Sequence, residues 1–255
     1  MDTITLDTAN LAVGYGTRAV LSGIAITLRR GDLAVMLGPN GAGKSTLLRT
    51  LAGVQPPLAG TVSVLGTDIA GMTARQLARA MSVVYTDRAV NGGLTVREVV
   101  ELGRQPHTGF LGRLSRADRT IVDAAIDDVG ITALADKFLS DTSDGERQKT
   151  MIARAIAQQT PVIVLDEPTS FLDVSARFEI MHLLKRLADS GTTILLSTHD
   201  AAAALAVASH VITVADNTAQ ITPRQDPGLA ARLDALFPNP IVFDPAAGDF
   251  KTAGK

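Results

Sequence analysis

The run Leu33-Ala34-Val35-Met36-Leu37-Gly38-Pro39-Asn40-Gly41-Ala42-Gly43-Lys44-Ser45-Thr46 decides how the rest of the chain is read. Its first five residues are apolar without a break, the pattern of a strand buried on both faces. They feed a glycine-rich turn, after which Ser45 to about Ala52 reads as a helix. Gly38 through Ser45 meet the pattern G-x-x-x-x-G-K-[ST] in full. Phosphate oxygens require several donors at once, and only a backbone with small side chains wraps closely enough to supply them. Gly41 and Gly43 permit that approach, with Gly38, Pro39, Asn40 and Ala42 completing the loop. The helix that follows offers free N–H groups and the positive end of its dipole to an anion. Lys44 then reaches the β- and γ-phosphates of a nucleotide, the Ser45 hydroxyl coordinates magnesium, and Thr46 adds a phosphate contact. A glycine turn that merely caps a helix shares some of these letters, but it needs neither the buried strand before it nor the apolar helix after it.

Downstream, Val162-Ile163-Val164-Leu165-Asp166-Glu167 is a second buried strand, ending in two acids. That placement sends one carboxylate toward the nucleotide's magnesium and the next toward the attacking water. Asp166 is the candidate metal ligand and Glu167 the candidate general base. Solvated acids are common at strand ends, so the pair gains its meaning from the phosphate loop upstream.

Working outward, the opening third reads as short strands at Thr3–Leu6, Leu11–Val13, Ile24–Leu28 and Thr61–Val64. From about Asp87 to Ile156 apolar residues recur at helical spacing, for example Val96, Val99 and Val100, then Ile121, Ala125 and Val129. Between these two sets, Gly103–Ser115 is rich in Gly, Pro and Arg and reads as loop. A strand at Thr193–Leu196 follows a helix around Ser175–Ala188. Alternating strands and helices imply an α/β fold with a mostly parallel sheet. After Pro223 the expectation is a less regular tail.

At 255 residues the chain can bury a full core. Its net charge of −2 and its lack of a basic cluster argue against a nucleic-acid partner. With no cysteine there is no disulfide framework and no thiolate metal site. The N-terminus lacks the marks of a signal peptide, and the longest apolar stretches are far too short to span a bilayer. If the protein acts at a membrane, another chain is expected to do the crossing.

Further motifs narrow the class. Thr142-Ser143-Asp144-Gly145-Glu146-Arg147-Gln148 resembles the signature of the ABC transporter ATPases, usually written LSGGQ. It stands a helix upstream of Asp166, as in that family. Read from its residues alone, Ser143-x-x-Glu146 is a capping box, and a capped helix start also presents free N–H groups. Ser170-Phe171-Leu172-Asp173 resembles the family's D-loop, His199 stands at its switch histidine, and Tyr15 at the aromatic residue that stacks on adenine. His107, His182 and His210 read as structural or surface residues.

The resemblance spans about residues 3–215. It implies a P-loop NTPase core, RecA-like, with an N-terminal antiparallel β portion and an inserted helical subdomain at about 87–160. The ATPase domain is then 1–223, with 224–255 as a tail packed on it. It further implies ATP and Mg2+ as ligands, Lys44, Glu167 and His199 in catalysis, and a head-to-tail homodimer. In that dimer Ser143, Asp144, Gly145 and Glu146 meet the γ-phosphate held by the partner, and Asp173 crosses the interface.

The finer likeness is to the ATPases of iron-siderophore, haem and cobalamin importers, carried by Leu94–Arg104, by Pro106-His107-Thr108-Gly109, and by Val242-Phe243-Asp244-Pro245 with Gly248-Asp249-Phe250. It implies integral-membrane permease partners, a substrate-binding protein acting indirectly, and a peripheral place on the cytoplasmic face of the inner membrane. An ABC exporter ATPase or a non-transport ABC ATPase is the alternative.

Two residues depart from the family pattern. Thr86 stands where a magnesium-contacting glutamine is expected, and Asp87 beside it is a substitute ligand. Asp144 replaces a glycine of the signature. At a helix start it is favourable by roughly 0.3–1 kcal/mol, yet it would repel a phosphate, so its side chain is expected to turn aside toward Arg147.

Overall fold

The computed structural model describes residues 3–85, 93–109, 112–236, 241–244 and 249–252. The N-terminal part forms β1 (Ile4–Tyr15), β2 (Arg18–Ile24), β3 (Thr27–Arg29), β4 (Leu33–Leu37), α1 (Lys44–Leu51), β5 (Ala59–Val64) and β6 (Thr67–Asp68). Then come α2 (Ala74–Ala80), β7 (Met81–Val84), α3 (Val96–Glu101), α4 (Arg116–Asp128), α5 (Asp144–Ala157) and β8 (Val162–Asp166). The chain continues with α6 (Val174–Asp189), β9 (Thr193–Ser197), α7 (Ala201–Val207), β10 (His210–Ala215) and β11 (Thr218–Pro223). It ends in α8 (Leu229–Leu236), β12 (Ile241–Asp244) and β13 (Asp249–Thr252).

Every residue of β4, β8 and β9 is buried, as continuous apolar runs demand. They lie at the centre of a six-stranded sheet of order β11-β10-β4-β9-β8-β7, parallel except for the β10–β11 pair. Alternate side chains part to opposite faces. Leu33, Val35, Leu37, Ile163, Leu165, Ile194 and Leu196 join α3 through α8 in one apolar cluster. Ala34, Met36, Val162, Val164 and Leu195 join α1 and the N-terminal strands in the other. Those N-terminal strands make the antiparallel sheet β2-β1-β5-β6, with β3 also paired to β1. Among the described residues no helix is long and apolar enough to cross a membrane.

Four local readings are corrected. Thr3–Leu6 and Leu11–Val13 are parts of one strand, bent by bulges near Asn10, whose φ is 51°. Ile24–Leu28 is divided between the end of β2 and β3. Within the expected loop Gly103–Ser115, Leu102–His107 is a 3-10 helix with Arg104 buried. The order there comes from distant donors: Arg79 Nε to the Pro106 carbonyl at 2.9 Å, and Arg104 Nη1 to the Ala157 carbonyl at 2.8 Å. His107 Nε2 also meets the Gln158 carbonyl oxygen at 2.9 Å. Finally, the tail contains α8, whose Leu229, Leu233 and Leu236 are buried in the core, and the hairpin β12–β13.

Candidate functional site

The parallel strands all deliver their carboxyl ends to one edge of the central sheet, where open α/β folds bind ligands. Gly38 follows β4 there so closely packed that a Cβ would lie 2.3 Å from the Val214 carbonyl oxygen. Gly43 then caps α1 at φ 102° without a side-chain hydrogen bond, and no acid occupies the first turn. Helices α2 through α7 each have a side-chain cap. The first-turn N–H groups of α1 are thus left for an external anion.

Lys44 Nζ donates to the carbonyls of Gly38 at 2.7 Å and Pro39 at 3.0 Å, folding the side chain along its own loop. Burial pushes its ammonium below the usual lysine range, opposed by the Glu167 and Asp166 carboxylates. Ser45 Oγ is 3.5 Å from Asp166 Oδ1, which also accepts from Ser197 Oγ at 2.5 Å. The β8–β9 register sets Asp166 opposite Ser197. One step further, Glu167 turns at φ 51° and its N–H donates to the Ser197 carbonyl at 3.1 Å. Its Oε2 stands 2.7 Å from His199 Nδ1 and accepts the His199 N–H at 3.3 Å. Ser197 therefore ties both acids together. It was not anticipated, although a serine closing an apolar strand just before Thr198-His199 was a readable signal.

Tyr15 is 56% exposed, with its hydroxyl 3.2 Å from Thr46 Oγ1. It lines one concavity with Val20, Asn40, Gly41, Gly43, Lys44, Ser45, Asp166 and Glu167. Two hard oxygens, from Ser45 and Asp166, meet in that hollow, a donor set that suits magnesium held together with phosphates and water. Thr86 and Asp87, the other candidate ligands, lie outside the described residues.

Ser143, Asp144, Gly145, Glu146 and Asp173 line a different concavity. Ser143 and Glu146 complete a capping box at the start of α5, and that exchange holds the Glu146 carboxyl below the usual range. Asp144 turns aside to Arg147, 3.0 Å away. Asp173 Oδ1 accepts the Ala176 N–H at 2.8 Å and caps α6. Within one chain the two sets of residues do not meet.

The model of the ABC transporter domain matches residues 21–170, a span running from β2 through the phosphate loop and α5 to the turn beyond Glu167. The chain belongs to the ABC transporter family. It is an ATPase subunit of that family. An iron(3+)-hydroxamate import ATP-binding protein of Bacillus subtilis is 38% identical over 196 residues, covering 76% of this ABC ATPase and 73% of the relative. The ferric enterobactin transport ATP-binding protein of Escherichia coli is 35% identical over 243 residues, 93% and 89% of the two chains. A solved structure of a metal-chelate type ABC transporter, inward-facing, superposes with a TM-score of 0.80 at 28% identity, covering 94% of this chain and 90% of that one.

Proposed function

We propose that this ABC ATPase hydrolyses ATP at a composite, magnesium-dependent site and so drives import of an iron chelate through a partner permease. The observation that carries the chemistry is the Glu167–His199 contact of 2.7 Å beside the phosphate loop. The α1 N–H groups and Lys44 hold the β- and γ-phosphates, Lys44 exchanging its loop carbonyls for phosphate oxygens. Thr46 adds a hydroxyl, and Tyr15 stacks on the adenine. Ser45 and Asp166 would hold magnesium, which when bound neutralises charge on the phosphate oxygens. Glu167 takes a proton from water as its oxygen attacks the γ-phosphorus, and the bond to the bridging oxygen breaks to release ADP and phosphate. His199 orients the Glu167 carboxylate and reaches the γ-phosphate.

Ser143–Glu146 and Asp173 lie in another concavity, so we assign them to the site of a second, head-to-tail copy. The chain would sit peripherally on the cytoplasmic face of the inner membrane, bound to permease subunits. The names of the siderophore relatives and the metal-chelate neighbour support an importer of an iron chelate, and a 38% identical cobalamin import ATP-binding protein of Halobacterium salinarum keeps a corrinoid as the second cargo. In the reconstituted complex, Glu167→Gln is expected to retain ATP binding and lose hydrolysis by about 100-fold or more. An unchanged rate would overturn the assignment, and stimulation by no iron chelate would overturn the cargo.

A further inference from the structure

Ser197 ends β9 between two neighbours, Met36 on β4 and Asp166 on β8. Alternation along the strands turns all three side chains to the face on which α1 packs. Two residues earlier in their strands, Val164 and Leu195 are apolar and join Met36, Leu47 and Leu48 in the buried cluster of that face. Ser197 interrupts this apolar lining, and it is as hidden as its neighbours at 1% exposed, with Asp166 at 6%. A buried hydroxyl among aliphatic side chains costs stability unless it is hydrogen-bonded. An aliphatic residue would pack there without that requirement. The serine is thus explained by what its oxygen touches, and among the described residues both of its bonds go to the acid pair.

Ser197 Oγ donates to Asp166 Oδ1 at 2.5 Å and accepts the Glu167 N–H at 3.2 Å. Its single proton is committed to the carboxylate, so the Glu167 amide is met by a lone pair. The bonds therefore run in one direction, from the Glu167 amide through the hydroxyl to Asp166, and each strengthens the other. The chain begins at a backbone that must be held: Glu167 sits at φ 51°, a left-handed conformation that persists only where its surroundings fix it. It ends at the same Asp166 oxygen that lies 3.5 Å from Ser45 Oγ. One hydroxyl thus links the candidate metal oxygens to the main chain of the candidate base.

We propose that Ser197 is a positioning residue that couples the metal site at Asp166 to the placement of Glu167. A shift of the Asp166 carboxylate toward a cation carries Oγ with it, and the Glu167 amide follows the oxygen to which it donates. The proposal rests on the assignment above of Asp166 to magnesium and of Glu167 to the base. The test compares Ser197→Ala, which removes the hydroxyl, with Ser197→Thr, which keeps it. In the full-length chain, a fluorescent ATP analogue titrated in EDTA should bind both variants as it binds the parent. With a non-hydrolysable analogue present, Mn2+ affinity read by electron paramagnetic resonance should fall about tenfold in Ser197→Ala and recover in Ser197→Thr. In the reconstituted complex at saturating metal, kcat of Ser197→Ala should fall at least tenfold with KM for ATP unchanged, because Glu167 is then misplaced even with the metal site filled. Unchanged Mn2+ affinity, or an unchanged kcat at saturating metal, overturns the coupling. So does an alanine variant that loses metal-free nucleotide binding as well, or a folded threonine variant no better than alanine, since either makes Ser197 a packing residue. Asp166→Asn separates the two levels. If it leaves Mn2+ affinity intact, the metal assignment falls and the coupling with it; if it weakens Mn2+ while Ser197→Ala does not, the coupling alone is overturned.

Discussion

At the scale of single residues, Gly43 and Tyr85 make opposite cases. Gly43 is required twice over: its φ is 102°, and a Cβ there would lie 2.8 Å from Val20 Cγ1. Strained backbone of this sort costs about 1–3 kcal/mol. Gly43→Ala should therefore lower both the melting temperature and the affinity for ATP by calorimetric titration; full affinity would show that the loop tolerates the change. This glycine was legible because the motif states its geometry. Tyr85 was not, since its burial depends on elements far away in the chain. Among the described residues its buried hydroxyl has no hydrogen-bond partner. Burial pushes its ionisation up to about 12, Arg49 opposing and Asp166 adding to the effect. Removing an unpaired buried hydroxyl recovers about 1 kcal/mol. Tyr85→Phe should thus match or exceed the parent in urea unfolding, and a clear loss of stability would reveal a hydrogen bond that this geometry lacks.

At the scale of elements, sequence reading succeeded where one segment carries its own instructions. Continuous apolar runs announced β4, β8 and β9, and Ser143-x-x-Glu146 announced the start of α5. It failed at α2, although Thr73 and Gln76 form the same kind of capping box. It also failed at Leu102–His107, where Gly and Pro suggested loop but Arg104 makes the order. Arg104 is 5% exposed, and its Nε donates to Asp118 at 2.9 Å. Asp118 titrates at about 2, held down first by the Ser115 hydroxyl and amide, then by Arg104. An unfolded aspartate titrates at about 3.9. The folded value is the lower one, so the contact stabilises above about pH 4 and fades as pH falls through about 2. Asp118→Asn should lose at most about 1 kcal/mol at neutral pH, since solvent screens this carboxylate, and the deficit should narrow as the pH is lowered from 5 toward 2. A deficit independent of pH in denaturant titrations would show that the ionised carboxylate, which both the Ser115 cap and Arg104 engage, is not what stabilises.

At the scale of the whole molecule, the central sheet joins two buried clusters, because neighbouring residues of the same strand serve opposite faces. Val35 points to the side of the helices and Met36 to the side of the N-terminal sheet. The motifs revealed the chemistry of the sheet's carboxyl edge, but not this sharing, which depends on pairings between strands more than a hundred residues apart, such as β4 with β9. Nor did they reveal α8, whose leucines find their partners in elements laid down much earlier. The helices α3, α4 and α5 also enter the cluster that holds Leu33 and Leu196, with Val96, Val122 and Ile152 as buried members. Nothing apolar separates the helical lobe from the sheet, so neither can expose its share of the core without exposing the other's. Unfolding should then be one cooperative event despite the size of the chain. The absence of tryptophan makes this measurable. A single tryptophan at Tyr15 reports on the nucleotide edge and one at Phe138 on the helical lobe, both at half-exposed positions that tolerate the larger ring. In urea the two reporters should give coincident midpoints and slopes. An earlier transition at Phe138→Trp would mean that the lobe opens on its own, and that the cluster shared with the sheet holds it less firmly than its burial implies.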